Sequence, residues 1–164
     1  MIFLGLTLLL AKGSSALAAR SDIPRRSCAA AAAFVATKAQ GATVQATDRK
    51  GAPVVASQWE SAHNNGRTDL VAGLDGEPYI LLTDDTGKLT EYALRAECTH
   101  LGCLVGPWDS ARNRFVCPCH GSEYDRTGKV LRGPAPQSLK LAKVEVDDND
   151  FVSLSTWIEP DFRV

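Results

Sequence analysis

The sequence lacks a run of basic residues, an internal repeat and a hydrophobic stretch long enough to cross a membrane. After residue 42 its arginines and lysines are scattered among acidic residues, a pattern that gives no indication of nucleic-acid binding. Two stretches without charge, residues 2–11 and 27–37, would each extend roughly 15 Å as helices, against a hydrocarbon layer of about 30 Å. Neither stretch is therefore expected to span a bilayer alone.

The charges are divided unevenly along the 164 residues. Residues 1–42 carry five basic residues and one acidic residue, whereas residues 43–164 carry thirteen basic and eighteen acidic residues. A basic segment ahead of an acidic body is typical of a targeting leader followed by the working domain. We therefore expect a leader at 1–42 and one globular domain at 43–164.

The predicted leader contains two targeting patterns. An apolar core at 2–11 and the small residues ALA at 16–18 are typical of a cleaved signal peptide. Arg25 and Arg26 then precede an alanine-rich run that contains Cys28, a pattern that fits either a twin-arginine export signal or the remnant of a transit peptide. Two signals in series would suit a plastid enclosed by extra membranes, with the thylakoid lumen as the destination.

Beyond residue 43 the pattern favours short strands over helices. The clearest hairpin has an apolar run at 79–82, a turn at 84–87 and a second strand that ends near Leu94. Strands at this spacing predict an all-β fold, a small antiparallel sandwich or barrel.

A second hairpin is predicted close to the end of the sequence. Val144 and Val146 share one face of its first strand, and an acidic turn leads to a strand at 151–158. The segment VVASQWESAH is expected to form a brief helix on the flank of the sheet.

Four of the five cysteines and two of the three histidines occur in two short segments, CTHLGC at 98–103 and CPCHGSEY at 117–124. The spacing is Cys98, one residue, His100, sixteen residues, Cys117, two residues and His120. Two cysteines and two histidines on separate loops are sufficient to bind a metal centre.

Two kinds of metal centre use such a set. Structural zinc is often held by two cysteines and two histidines, but ligands one residue apart are closer than in the usual zinc finger. Zinc also leaves Cys103 and Cys119 unexplained. One [2Fe–2S] cluster, with two cysteines on one iron and two histidines on the other, accounts for the pattern better.

These segments resemble the Rieske iron–sulfur proteins, and specifically the Rieske subunit of the cytochrome b6f complex. The resemblance rests on CTHLGC, CPCHGSEYD, GKVLRGPAPQSL and WIEPDFR, and it runs from about residue 48 to residue 163. It implies a Rieske fold, in which a two-loop subdomain binds the cluster. The third histidine, His63, lies outside these segments and is predicted to be a solvated loop residue.

The resemblance also implies roles for individual residues. Cys98 and Cys117 would bind the inner iron, and His100 and His120 would bind the outer iron. A disulfide between Cys103 and Cys119 would join the two loops, and such a bond is compatible with an exported domain.

Two hydroxyl groups are expected to tune the cluster. Replacing two thiolates by neutral imidazoles raises the potential into a range of about −150 to +300 mV. The resemblance implies that the hydroxyls of Ser122 and Tyr124 hydrogen-bond the cluster sulfurs and place the protein among the high-potential members. Without the motif, Ser122 would be read as a turn residue and Tyr124 as part of the core.

A docking tip is implied around the exposed histidines. Leu101, Gly102 and the GPAP loop, which begins with Gly133 and Pro134, would surround the cluster. A histidine exposed at this tip would dock against the hydroxyl of a quinol. Because reduction of the iron makes the second nitrogen of the imidazole more basic, electron uptake favours proton uptake there.

The function implied by the resemblance is that of a one-electron carrier on the lumenal side of the thylakoid. It would accept an electron from plastoquinol and pass it to cytochrome f, as part of a plastoquinol–plastocyanin reductase. Cytochrome b6 and cytochrome f would be its partners, and the complex would supply the membrane association.

Two alternatives to this function remain open. They are a soluble Rieske ferredoxin, a class that generally lacks the second cysteine pair, and a lumenal Rieske relative outside the complex.

The sequence departs from the family pattern in two places. The segment CLVGPWDS is one residue longer than the usual loop of the family, with Gly106 as the inserted residue near Trp108. No counterpart of the family's membrane helix and glycine-rich hinge is evident.

Overall fold

The computed structural model describes residues 42–64 and 66–163. The predicted leader at 1–42, with Cys28, therefore lies outside the described residues except for Ala42. Within the described ranges, no helix combines the length and the apolar character that crossing a bilayer requires.

The described residues form two antiparallel sheets and one short α-helix. The larger sheet has six strands in the order β1-β9-β8-β4-β3-β2, and the smaller sheet has three in the order β5-β6-β7. The elements are β1 (Val44–Gln45), α1 (Ala56–His63), β2 (Asp69–Ala72), a 3₁₀ turn (Leu74–Gly76), β3 (Pro78–Thr83), β4 (Leu89–Arg95), β5 (Phe115–Val116), β6 (Glu123–Tyr124), β7 (Val130–Arg132), β8 (Leu141–Val146) and β9 (Val152–Thr156).

The larger sheet curls until its two edge strands meet. Thr47, just after β1, pairs with Ala72 at the end of β2, and each N–H donates to the other's carbonyl, at 3.0 and 2.8 Å. Curling into a barrel removes unpaired strand edges. The all-β expectation is confirmed, and so is the brief helix, which is α1.

Strands β3 and β4 separate two hydrophobic cores. Side chains alternate between the two faces of a strand, so Tyr79 and Leu81 enter one core, while Ile80 and Leu82 enter the other. The first core lies inside the curled sheet, and the second contains Cys98, Cys117, Phe115, Tyr124 and Leu139. The subdomain built around the smaller sheet is thus fixed to the barrel by apolar packing across β3 and β4.

Both predicted hairpins are present. The first is formed by β3 and β4, and the second is formed by β8 and β9. In the second hairpin Val144 is buried, but Val146 is 47% exposed because it lies at the end of β8. The second strand is also shorter than predicted and ends at Thr156.

The prediction for His63 was wrong. It is the last residue of α1, not a loop residue, and it is buried. Its Nδ1 lies 2.8 Å from the carbonyl oxygen of Trp59, and its ring stacks on the Trp59 indole at 4.1 Å between centroids. The helical spacing of four residues brings the two rings together.

Candidate metal centre

The first cluster loop, residues 97–104, begins two residues after the end of β4. Its ends are joined by a bridge between Glu97 and Leu104. Inside the loop the N–H of Cys98 donates to the carbonyl of Cys103 at 2.8 Å, and the N–H of Gly102 donates to the carbonyl of Cys98 at 2.9 Å. Gly102 has a φ of +78°, which a residue with a side chain rarely adopts.

The second cluster loop, residues 117–122, repeats this arrangement. The N–H of Cys117 donates to the carbonyl of Ser122 at 2.8 Å, and that of Gly121 donates to the carbonyl of Cys117 at 3.0 Å. Gly121 has a φ of +72°. Each loop therefore folds back over its first cysteine, with a glycine four residues later.

A disulfide joins the two loops. Cys103 and Cys119 are bonded, as the resemblance implies. Their sulfurs and the sulfur of Cys117 all lie within 4.8 Å of one another. Since two of these three sulfurs are bonded to each other, the group is a disulfide packed beside a thiol rather than a set of three metal ligands.

The four predicted ligands divide into an inner and an outer pair. The thiols of Cys98 and Cys117 are almost fully buried, whereas His100 is half-buried and His120 is exposed. The two imidazoles lie edge to face with 4.9 Å between ring centroids. His100 Nδ1 is buried and has no hydrogen-bond partner, an arrangement that is costly unless another ligand satisfies it.

The surroundings of the two thiols differ. Burial raises the pKa of the Cys98 thiol, but hydrogen bonds from the Tyr124 hydroxyl and the His100 backbone N–H outweigh burial and leave the pKa lowered. Burial dominates at Cys117 and raises the pKa of that thiol. Cys98 is thus the sulfur whose negative charge the protein stabilises most directly.

Tyr124 and Ser122 bring two hydroxyl groups to the buried sulfurs. Tyr124 Oη lies 3.2 Å from Cys98 Sγ, and burial together with this contact raises the pKa of Tyr124 to about 12. Tyr124 therefore keeps its proton and can donate it in a hydrogen bond to a thiolate. Ser122 Oγ is also buried and accepts a 3.0 Å hydrogen bond from the N–H of Ala135, so its own hydrogen remains available to a sulfur.

Comparison with known proteins identifies the family. The Rieske [2Fe–2S] domain family matches residues 54–145, more than half of the chain. The chain is 52% identical over 123 residues to the cytochrome b6-f complex iron-sulfur subunit of Prochlorococcus marinus subsp. pastoris strain MED4, over 75% of this chain and 68% of that protein. This chain belongs to the Rieske family.

Two further similarities accompany this result. The chain is 51% identical over 132 residues to the cytochrome b6-f complex iron-sulfur subunit of Synechococcus sp. strain CC9605, over 79% of this chain and 73% of that protein. Among solved structures, the plasma membrane Rieske protein PetC3 from Synechocystis PCC 6803 is 32% identical, with a TM-score of 0.47, over 64% of this chain and 98% of that one.

The residues of this Rieske domain fit the family's cofactor, which is one [2Fe–2S] cluster. A buried pair of thiols and a more exposed pair of imidazoles match a cluster whose two irons have different ligands. The unpartnered Nδ1 of His100 is the nitrogen that an iron would satisfy. As a Rieske protein, the chain is an electron carrier.

The loop at 133–139, here called the proline loop, lies against both cluster loops of this Rieske domain. The N–H of Ala135 donates to Ser122, and Thr99 Oγ1 donates to the carbonyl of Gln137 at 2.6 Å. Gly133 and Pro134 are exposed at its beginning. The loop thus bridges the two halves of the site.

Leu101 and Gly102 lie on the surface beside His100. Leu101 is 70% exposed, an unusual position for a large apolar side chain, and Gly102 is also exposed. The structure places these residues at the outer end of the first cluster loop, where the resemblance implies a docking tip.

The predicted insertion is accommodated inside the smaller subdomain. The N–H of Gly106 donates to the carbonyl of Val116 at 3.0 Å, and a Cβ at Gly106 would lie 3.0 Å from the same oxygen. Trp108 then packs on Phe115 and lies under the guanidinium of Arg126. The longer loop is thus held by packing and by a tight backbone contact.

Sequence reasoning missed two residues of the site. Thr99 connects the first cluster loop to the proline loop, and Gly121 allows the second cluster loop to turn. Gly121 could have been found, because both boxes share the spacing of a cysteine followed four residues later by a glycine. Thr99 had no such signal, since its partner Gln137 is 38 residues away.

Proposed function

We propose that this chain is the high-potential Rieske subunit of a cytochrome b6f complex, where it accepts one electron from plastoquinol and passes it to cytochrome f. The observation that supports a high potential is the placement of the Tyr124 hydroxyl 3.2 Å from Cys98 Sγ, with Ser122 buried nearby. Hydrogen bonds to cluster sulfurs stabilise the added electron. The relatives that are about half identical carry the name of the b6-f subunit, so a soluble Rieske ferredoxin is not favoured.

In this proposal the ligands are the four residues of the two loops. The thiolates of Cys98 and Cys117 would bind the inner iron, and the imidazoles of His100 and His120 would bind the outer iron. The cluster, when bound, supplies reversible acceptance of one electron. The disulfide between the loops would keep water from the inner ligands.

The chain's own residues would then orient the quinol and handle its proton. The Nδ1 atom of His100 is buried. Its Nε2 is therefore the atom that would accept a hydrogen bond, and then a proton, from a quinol hydroxyl. Leu101 and Gly102, together with Gly133 and Pro134, would form the apolar surface against which the quinol site closes.

The proposed location is the lumenal side of the plastid thylakoid, with cytochrome b6 and cytochrome f as partners. The predicted targeting leader at 1–42 supports this location, and the relatives' name supports the partners. The chain would then contribute to plastoquinol–plastocyanin reductase activity as a subunit.

Two measurements test the proposal. Native gels of thylakoids, probed with an antibody against residues 43–164, should show the chain migrating with cytochromes b6 and f. Recovery only in the soluble lumen fraction would instead indicate a Rieske relative outside the complex.

The second measurement concerns the cofactor itself. Purified protein should be red-brown, contain equal amounts of iron and acid-labile sulfide, and give an EPR signal on reduction. Zinc without iron, or two irons that are equivalent by Mössbauer spectroscopy, would contradict the ligand assignment.

A further inference from the structure

Arg163 lies in the segment after β9. Among the described residues it is the one arginine that is buried, with 5% of its side chain exposed. Its Nε and Nη2 each donate to a carboxylate oxygen of Asp161, both at 2.8 Å. Its Nη1 donates to two backbone carbonyls, those of Thr127 at 3.1 Å and Leu139 at 2.9 Å. A buried guanidinium is stable only when its donors are satisfied in this way.

One of these carbonyls belongs to the turn that follows Tyr124. The turn is organised by Asp125, whose Oδ1 accepts the N–H of Thr127 and of Lys129. Gly128 allows close packing there, since a Cβ at this position would approach Arg163 Nη1 to 3.2 Å. Arg163 therefore fixes the end of the strand that carries the Tyr124 hydroxyl.

The other carbonyl belongs to the end of the proline loop. The N–H of Leu139 donates to the carbonyl of Gly128 at 2.9 Å, while its own carbonyl accepts from Arg163. The same loop supplies the Ala135 N–H to Ser122. One guanidinium thus joins the segments that position both hydroxyls of the site.

We infer that Arg163 is a positioning residue for the cluster, which sets the reduction potential by holding the Tyr124 turn and the proline loop in register. Its action passes through Tyr124 and Ser122. The planar guanidinium can satisfy a carboxylate and two carbonyls at once, whereas the ammonium of lysine cannot reproduce that fork. The inference rests on the proposed function, because it concerns the potential of the same cluster.

The test uses the full chain with its cluster and measures the midpoint by protein-film voltammetry. Arg163→Ala and Arg163→Lys are each made in the wild-type, Tyr124→Phe and Ser122→Ala backgrounds. Arg49→Ala is the matched control, because Arg49 is also paired with an aspartate, Asp69, but on the exposed surface of the barrel.

The expected result is a lowered midpoint in Arg163→Ala, a smaller decrease in Arg163→Lys and no change in Arg49→Ala. In the Tyr124→Phe or Ser122→Ala background the decrease should shrink, because residues that act through one another are not additive. Amide hydrogen exchange at Ala135 should also be faster in Arg163→Ala than in the wild type.

Two outcomes would overturn the inference. In the first, Arg163→Lys and Arg163→Ala keep the wild-type midpoint although Tyr124→Phe shifts the midpoint. In the second, the midpoint shift caused by Arg163→Ala adds in full to the shifts caused by Tyr124→Phe and by Ser122→Ala. If Arg163→Ala does not retain the cluster, Arg163→Lys decides alone. Failure of the proposed function would appear separately, as a chain that does not migrate with cytochromes b6 and f.

Discussion

Tyr124 combines two roles that the sequence offered as alternatives. Its ring is fully buried in the second core, and its hydroxyl reaches Cys98 Sγ. Replacing it by phenylalanine keeps the packing volume and removes only the hydroxyl. We therefore expect Tyr124→Phe to lower the midpoint, as measured by voltammetry, with little change in Tm. Tyr79→Phe, in the first core, is the control and should leave the midpoint unchanged.

Ser122 is expected to affect both potential and stability. Ser122→Ala removes a hydroxyl near the sulfurs and leaves the buried N–H of Ala135 without its acceptor, which costs about 1–3 kcal/mol. The midpoint and the free energy of unfolding should both decrease, by voltammetry and by denaturant titration. If the midpoint stayed at the wild-type value here and in Tyr124→Phe, the high-potential assignment would fail.

The ion pair of Asp161 predicts a dependence of stability on acid. Hydrogen bonds from the Arg163 side chain and backbone lower the pKa of Asp161 from 3.8 to about 2. A lowered pKa means that the stabilisation is complete above the unfolded value and disappears as the pH falls toward the folded one. Between about pH 4 and pH 2, Tm should therefore fall less steeply in Asp161→Asn than in the wild type. Parallel curves would show that the pair does not contribute.

At the scale of elements, two glycines in left-handed conformations should tolerate substitution differently. Gly121 has open space around the position of a Cβ, so Gly121→Ala should cost only the backbone strain, roughly 1–2 kcal/mol. In Gly128→Ala the new methyl would also lie 2.8 Å from Leu94 Cδ2, within the turn that Arg163 holds. We expect a larger loss of unfolding free energy in Gly128→Ala, measured by denaturant titration. Equal losses would mean that the turn shifts to accept the methyl group.

Strands β3 and β4 explain how a small domain can support a rigid site. Strand β3 buries both of its faces, and β4 does so at Ala93 and Leu94, with one face in the barrel and the other beneath the cluster loops. The first cluster loop begins only two residues after β4, and the second lies between β5 and β6. The loops are thus supported by paired strands at their bases, while Leu101 and His120 at their tips are exposed.

At the scale of the molecule, the disulfide connects loops that are otherwise separate in the chain. It joins residues 16 apart in sequence, and a ring of this size restricts the unfolded chain by about 3 kcal/mol in the entropy model. The double variant Cys103→Ser with Cys119→Ser should lose about that much unfolding free energy and release iron faster, as followed by the visible absorbance. An unchanged unfolding free energy and an unchanged rate of iron release in the double variant would contradict this role.

Much of the molecule could be predicted because the necessary signals are local. The hairpins follow from alternation and turn residues, and the proposed ligands come from two compact boxes of cysteine and histidine. The prediction for His63 was wrong because its burial depends on contacts made in the folded structure. Its ring stacks on Trp59, and its carbonyl oxygen accepts a hydrogen bond from the hydroxyl of Thr83, 20 residues away.

Cofactor chemistry and strand pattern were thus readable from the order of residues, since ligand type and period-two alternation are properties of short segments. The arrangement of hydrogen bonds around the two cluster loops could not be predicted in this way. Arg163 reaches Thr127 and Leu139 across 36 and 24 residues, and Gln137 meets Thr99 across 38. Such hydrogen bonds form only after the two cores have packed, because packing brings distant carbonyls within reach of donors that have no signature in the sequence.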